Sequence, residues 1–156
     1  EQLEKECFVE DTLAILKEYD FPPSQLWIEI TERCRDLPIS MIKKTVTAFR
    51  EAGIHITMDD YGTGSSSSQM MLELPVEGIK IDMFFVKDIL EEKKKQALVI
   101  GMINFANAAD LRICIEGIEN DSLESYLRQF DVTCFQGYHY SRPICQDELM
   151  KLLIKP

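Results

Sequence analysis

The chain has 156 residues, 46% of them hydrophobic and 28% charged, which suits one folded domain with a single core. Its formal net charge of -10 argues against binding to DNA, RNA or an anionic membrane surface, because these partners require a basic surface. No apolar run reaches the length of a membrane span. We therefore expect a cytoplasmic protein without direct membrane insertion, whose parent could still be tethered through an upstream region.

Predicted helices and strands alternate along the whole chain. The first helical pattern ends at Pro22 and Pro23, which cannot continue a helix. The predicted helices are CFVEDTLAILKEYD, PISMIKKTVTAFREAG with Gly53 as its C-cap, SSSSQMMLELP, KKKQALVIGMINFANAAD, DSLESYLRQF and CQDELMKLLI. The predicted strands are LWIEITE, IHITMDD, EGIKID, RICIEGIE and VTCFQGYHY. This alternation predicts an α/β fold built from parallel βα units.

Each predicted strand carries apolar residues on one face and polar residues on the other. The apolar face consists mostly of isoleucine and suits a sheet that helices cover. The opposite face offers charged or amide groups towards the strand ends, namely Glu29, Asp59, Lys80, Glu116 and Gln136. In a parallel βα barrel these ends meet at one mouth, where active sites are built. Packing alone is a poor explanation for inward carboxylates grouped with a lysine.

The adjacent carboxylates of Asp59 and Asp60 end an apolar strand, where repulsion and desolvation both penalise the pair. A bound cation would neutralise that charge. Taken alone, the same residues could form an Asx-type turn without metal. The loop GTGSSSS after them lacks the Gly-Lys frame of a phosphate-binding loop. The cysteines are odd in number and show no CxxC motif, so we expect reduced thiols rather than disulfides or a zinc site.

Five short motifs resemble the successive signatures of the EAL-domain family. They are EITE at 29–32, DDYGTG at 59–64, KID at 80–82, EGIE at 116–119 and QGYHYSRP at 136–143. The motifs follow the family's order and spacing over nearly the whole chain. The resemblance implies that residues 1–156 form a single incomplete EAL-type domain. Its fold would be a partial TIM-like (β/α) barrel with about five parallel strands and covering helices.

The resemblance also implies an activity, because EAL domains hydrolyse the bacterial second messenger cyclic di-GMP to the linear dinucleotide pGpG. They use two divalent ions, usually Mg²⁺ or Mn²⁺. By resemblance, Glu29, Asp59 and Asp60 would bind metal. Lys80 and Glu116 would hold or activate the attacking water. Residues implied to support the substrate or the loop are Glu32, Gly62, Thr63, Gly64, Glu119, Gln136 and Arg142.

The chain departs from the family pattern at its first residue, Glu1. The glutamate of the Glu-Ala-Leu signature and an asparagine ligand of the following strand lie upstream of it. About three of the family's eight strands would be missing with them, so the remaining strands cannot close a barrel. We expect a chain that self-associates and is weakly active or inactive alone, with a sensory or GGDEF-type domain upstream in the parent.

Three functions remain open from the residues and the resemblance. The first is a cyclic di-GMP phosphodiesterase, favoured because Asp59 and Asp60 are both retained. The second is a degenerate EAL domain that acts as a cyclic di-GMP receptor or a protein-interaction module. The third is an unrelated barrel enzyme with Lys80 as a Schiff-base nucleophile. That role requires a desolvated lysine, whereas nearby acids would raise its pKa.

Overall fold

The computed structural model describes residues 3, 5, 7–31, 37–64 and 67–154, except for the side chains of residues 67 and 68. Its helices are α1 (Phe8–Glu18), α2 (Ile39–Glu51), α3 (Ser67–Glu73), α4 (Met83–Val86), α5 (Lys93–Ala108), α6 (Asp121–Leu127) and α7 (Gln146–Leu153). Its strands are β1 (Trp27–Thr31), β2 (His55–Tyr61), β3 (Gly78–Ile81), β4 (Arg112–Ile115) and β5 (Cys134–Phe135). A short 3-10 turn at Pro23–Gln25 leads into β1. No helix in this described part of the chain is both long and apolar enough to cross a membrane.

The five strands form one parallel sheet whose spatial order follows the chain from β1 to β5. Helices connect consecutive strands, as parallel neighbours require. The predicted α/β architecture of five parallel strands with covering helices is therefore confirmed. Within the described residues the sheet is open, because β1 and β5 each pair with one neighbouring strand.

The isoleucine face of the sheet forms the core. Ile56, Ile81 and Ile115 are each 0% exposed, and Phe49 of α2 and Ile103 of α5 join the same buried cluster at 1% exposure. Burial of each such side chain contributes about 1.5–3 kcal/mol to folding. Because side chains alternate along a strand, burying this face directs the polar residues of the same strands to the opposite face.

Local differences from the predicted elements have local causes. β5 contains two residues rather than the whole segment VTCFQGYHY. Asp82 follows β3 and caps α4, its Oδ1 accepting a hydrogen bond of 2.7 Å from the amide of Phe84. With four residues, α4 is too short to produce a helical period in the sequence. The C-cap of α2 is Ala52, and the predicted cap Gly53 follows it with a φ of +86°.

Gly137, just after β5, gives a prediction about stability. A Cβ added there would lie 2.7 Å from the carbonyl carbon of Ile118 and would also clash with the backbone N and O of that residue. We expect Gly137→Ala to lower the free energy of unfolding by about 1–3 kcal/mol, the usual cost of overpacking.

Gly101 in α5 is the matched control, because a Cβ there meets nothing within 4 Å. Gly101→Ala should raise the free energy of unfolding by about 0.5–1 kcal/mol. Urea unfolding measures both variants, and a Gly137→Ala variant as stable as the parent chain would contradict this packing.

Candidate active site

A bulge at the end of β2 brings two consecutive carboxylates into one group. The register between β2 and β3 shifts between Met58 and Tyr61, and Asp60 has a φ of +54°. In a regular strand, Asp59 and Asp60 would point to opposite faces of the sheet. Here, carboxylate oxygens of Asp59, Asp60 and Glu116 all lie within 4.8 Å of one another. We refer to these three residues as the carboxylate cluster.

Lys80 rises from β3 beside the carboxylate cluster and is only 7% exposed. Its Nζ lies 2.7 Å from Glu116 Oε1, 3.0 Å from Glu29 Oε1 and 3.2 Å from Asp59 Oδ1. Burial alone would lower the pKa of Lys80, but hydrogen bonds to Glu116 and Glu29 and the charges of Glu116 and Asp59 outweigh it. The pKa of Lys80 therefore lies above its ordinary value, and the ammonium stays charged at neutral pH. This state disfavours a Schiff-base nucleophile, which must be neutral to attack a carbonyl.

The carboxylate cluster fits a divalent cation. In the described part of the chain, Asp59 Oδ1 is a buried oxygen without a hydrogen-bond partner. The nearby Lys80 ammonium is close enough for an ion pair, but it is not aligned for a hydrogen bond to that oxygen. Three clustered carboxylates also carry more negative charge than one ammonium can balance. Hard ions such as Mg²⁺ and Mn²⁺ prefer oxygen ligands of this kind.

Glu29 lies next to the carboxylate cluster but is not one of its three members. It comes from β1, its side chain is 48% exposed, and its Oε1 contacts Lys80. The structure thus brings the predicted metal-binding and catalytic residues together, because the carboxylate cluster and Glu29 all lie beside Lys80. It places Glu116, rather than Glu29, nearest to the paired aspartates.

The loop after β2 holds Asp60 in its unusual conformation. The Thr63 hydroxyl donates to the Asp60 carbonyl at 2.9 Å, and the Thr63 amide donates to the same oxygen at 3.2 Å. Gly62 has a φ of +93°, and a Cβ there would lie 2.5 Å from Met102 Cε. A residue with a side chain would therefore disturb this turn. Gly64 is exposed at the end of the loop's described part, and Glu32 lies outside the described residues.

Two cavities adjoin the predicted catalytic residues Lys80 and Glu116. A cavity of about 490 Å³ is lined by residues of all five described strands and the loop after β5, including Glu29, Thr57, Lys80, Cys114, Cys134 and Gln136. A second cavity, of about 210 Å³, is lined by Met83, Glu116, Gly117, Glu119, Gln136, Gly137 and Tyr138. Gln136 lines both cavities. The predicted support residue Glu119 lines this second cavity, whereas Arg142 lies above the ring of its lining residue Tyr138, 4.5 Å from the ring centroid.

Several residues that line these cavities were not predicted as site residues, among them Gly137, Tyr138, Cys114 and Cys134. Gly137 and Tyr138 lie inside the motif QGYHYSRP, so the motif itself was the available signal. Cys114 and Cys134 share a strand face with Glu116 and Gln136, two residues further along each strand segment. Burial and the neighbouring Cys134 thiol raise the pKa of Cys114 above its ordinary value.

The family model for the EAL domain matches residues 1–143. This chain belongs to the EAL domain family. The cyclic di-GMP phosphodiesterase RocR of Pseudomonas aeruginosa is 30% identical over 150 residues, which cover 96% of this chain and 38% of RocR. The chain spans 20% of another relative, the cyclic di-GMP phosphodiesterase PdeR of Escherichia coli, at 28% identity and with 83% of this chain covered.

Solved EAL structures share the fold of this family member. The EAL domain of DcpA from Mycobacterium smegmatis superposes with a TM-score of 0.92 at 32% identity, covering 97% of this chain and 68% of that domain. BlrP1 of Klebsiella pneumoniae, in a complex with manganese and cyclic di-GMP, has a TM-score of 0.84 at 27% identity. That match covers 91% of this chain and 36% of BlrP1.

Proposed function

We propose that this EAL-family chain carries the catalytic core of a metal-dependent phosphodiesterase that hydrolyses cyclic di-GMP to linear pGpG. The observation that carries the proposal is the carboxylate cluster beside a charged, buried Lys80. Two relatives, RocR and PdeR, are cyclic di-GMP phosphodiesterases. BlrP1 binds manganese and cyclic di-GMP on the same fold.

Asp59 and Asp60 are the proposed ligands of two Mg²⁺ or Mn²⁺ ions, with Glu29 as a further ligand. The Oδ1 of Asp59 supports this assignment, because it is buried and accepts no hydrogen bond, and its ion pair with Lys80 leaves room for a further cation among the clustered carboxylates. When bound, two divalent ions neutralise charge on a phosphodiester and make water a better nucleophile at neutral pH. The aspartates would also stay ionised side by side, since the positive charge offsets their repulsion.

Lys80 and Glu116 are the proposed groups that position and activate the attacking water. The ammonium of Lys80 has three N–H donors and no acceptor, so it can orient a water oxygen or a phosphate oxygen but cannot accept a proton. Glu116 Oε1 is 2.7 Å from Lys80 Nζ, and as a carboxylate it can accept a proton from the water. The two side chains thus divide orientation and proton acceptance between them.

Gln136, Glu119 and Arg142 are proposed to support the substrate at the two cavities. The larger cavity has a volume of about 490 Å³, within the range of about 300–1,000 Å³ for small-molecule sites. The Gln136 amide, which lines both cavities, can donate and accept hydrogen bonds. Glu32, Gly62, Thr63 and Gly64 are the proposed supports of the loop that carries Asp60.

We also propose that this unit works within a longer signalling protein that has a sensory or GGDEF-type domain upstream, in the bacterial cytoplasm. The oxygen sensor protein DosP of Escherichia coli supports this organisation. It is 34% identical over 125 residues, which cover 80% of this chain but 16% of DosP.

The role of Lys80 provides the functional test. In a polypeptide that contains these residues within a complete domain, Lys80→Ala should reduce the turnover of cyclic di-GMP by about a hundredfold, because a preorganised charge on the reacting group is lost. The KM should change less than kcat. Chromatographic measurement of pGpG formation with Mn²⁺ tests this, and Lys87→Ala serves as the control, because Lys87 is exposed and lies at the end of α4.

Two outcomes would contradict the proposal. Near-normal turnover by Lys80→Ala would remove the lysine from the mechanism. Tight binding of cyclic di-GMP by the unmodified domain, with no pGpG formed in the presence of Mg²⁺ or Mn²⁺, would favour the receptor function instead.

A further inference from the structure

Two thiols lie directly opposite each other on the polar face of the sheet. Cys114 of β4 and Cys134 of β5 are register partners in neighbouring parallel strands. Both residues line the cavity that contains Lys80, and the Cys134 thiol is near enough to help raise the pKa of Cys114. Neighbouring strands lie about 4.7–4.9 Å apart, which is within the usual Cα–Cα range of disulfides, about 4.4–6.8 Å. The Cα spacing of neighbouring strands is thus compatible with a disulfide between these register partners.

The pair occupies a position where a link would affect the strands that carry the site. Glu116 and Gln136 follow Cys114 and Cys134, respectively, by two residues. Within the described sheet, β5 is an edge strand of two residues. Its segment is attached to β4 by backbone hydrogen bonds such as that from the Gln136 amide to the Ile115 carbonyl, at 2.9 Å. A bond between the thiols would fix this short edge strand to β4.

We propose that Cys114 and Cys134 form an oxidisable dithiol, a modification site at which a hydroperoxide produces a disulfide that ties β5 to β4. In the first step, a cysteine sulfur attacks hydrogen peroxide, which gives a sulfenic acid and water. In the second step, the other thiol displaces the sulfenic hydroxyl, forming the S–S bond and releasing a second water. The two sulfurs together lose two electrons and two protons, and one peroxide is reduced to two waters.

The relative accessibility of the two thiols supports this order of events. Cys134 is exposed and Cys114 is half-buried, so peroxide reaches Cys134 first. Cys114 is then already positioned beside the new sulfenic acid. Cys7 and Cys145 are also exposed thiols, but they lie on α1 and α7 caps rather than opposite another cysteine in the described sheet. This proposal concerns the fold and is independent of phosphodiesterase activity.

The experiment treats the 156-residue chain with hydrogen peroxide, alkylates the remaining thiols and maps the tryptic peptides. Cleavage after Arg112 and Arg128 separates Cys114 from Cys134 into peptides 113–128 and 129–151. Because Cys145 shares the second peptide with Cys134, two matched variants are compared. In Cys145→Ser we expect the two peptides to be linked within one chain and released by dithiothreitol, whereas in Cys134→Ser we expect at least a tenfold lower yield of that link.

Two further measurements make the result decisive. The same treatment in urea should give at least a tenfold lower yield of the link, because the unfolded chain no longer holds the thiols together. In the oxidised chain, amide hydrogen exchange at Gln136 should slow by about tenfold. The proposal is overturned by equal yields in folded and unfolded chains, by a link that persists in Cys134→Ser, or by unchanged exchange at Gln136.

Discussion

Asp60→Asn is expected to reduce cyclic di-GMP hydrolysis by about a hundredfold or more in a polypeptide that contains the complete domain. Asparagine keeps the shape of the side chain and tolerates the left-handed backbone at this position, where φ is +54°. Asparagine lacks the negative charge with which the Asp60 carboxylate would help to hold the second ion. The fold should therefore remain intact while the rate falls, which steady-state kinetics with Mn²⁺ and circular dichroism measure together.

Asp110→Asn is the matched control for that substitution. Asp110 has nearly the same backbone conformation, with a φ of +53°, but it is exposed and follows α5 away from the cluster. We expect its turnover to equal that of the unmodified protein. Near-normal turnover by Asp60→Asn, or an equal loss in both variants, would contradict the proposed role of Asp60 as a metal ligand.

The 156-residue chain is expected to self-associate when it is purified alone. The backbone of β1 has one strand neighbour in the described sheet, so its outer edge can pair with a strand of another molecule. Helix α7 offers a second surface for association, because none of its residues is buried. Leu152 and Leu153 on that helix are 52% and 70% exposed. Exposed apolar surface of this kind favours association between copies.

Size-exclusion chromatography with light scattering tests this expectation over a range of concentrations. If α7 supplies the contact, Leu153→Glu should raise the fraction of monomer at least severalfold at a given concentration. Lys151→Glu on the same helix should leave that fraction unchanged. Association that is unchanged by Leu153→Glu would assign the contact to the sheet edge. A chain that stays monomeric at every concentration and has full phosphodiesterase activity would contradict both the expected association and the expected weakness of the isolated chain.

Most of the fold could be predicted because its signals are local and repeated. The alternation of strand and helix patterns predicted the parallel sheet, and the isoleucines of β2, β3 and β4 indicated which face of it is buried. The four-residue helix α4 could not be predicted, since it is shorter than the period that reveals a helix. The end of β5 was also unpredictable from the pattern, because VTCFQGYHY continues to alternate where the chain turns at Gly137.

The candidate site was predictable as a set of residues but not as a geometry. Parallel strands bring their ends together, so Glu29, Asp59, Lys80 and Glu116 were expected at one edge of the sheet. Which carboxylates lie closest depends on the bulge at Asp60, and no sequence period encodes a bulge. For the same reason, simple alternation would have separated Asp59 from Asp60. The opposition of Cys114 and Cys134 depends on strand register, which a sequence pattern specifies only indirectly.

Binding of Mn²⁺ to the carboxylate cluster is the most direct test of the proposed metal site. Titration of the 156-residue chain with Mn²⁺, followed by the electron paramagnetic resonance signal of the free ion, measures that binding without requiring turnover. We expect weak but saturable binding by the unmodified chain and by Asp110→Asn, and at least tenfold weaker binding by Asp60→Asn. Identical binding curves for all three proteins would contradict a cation site that includes Asp60.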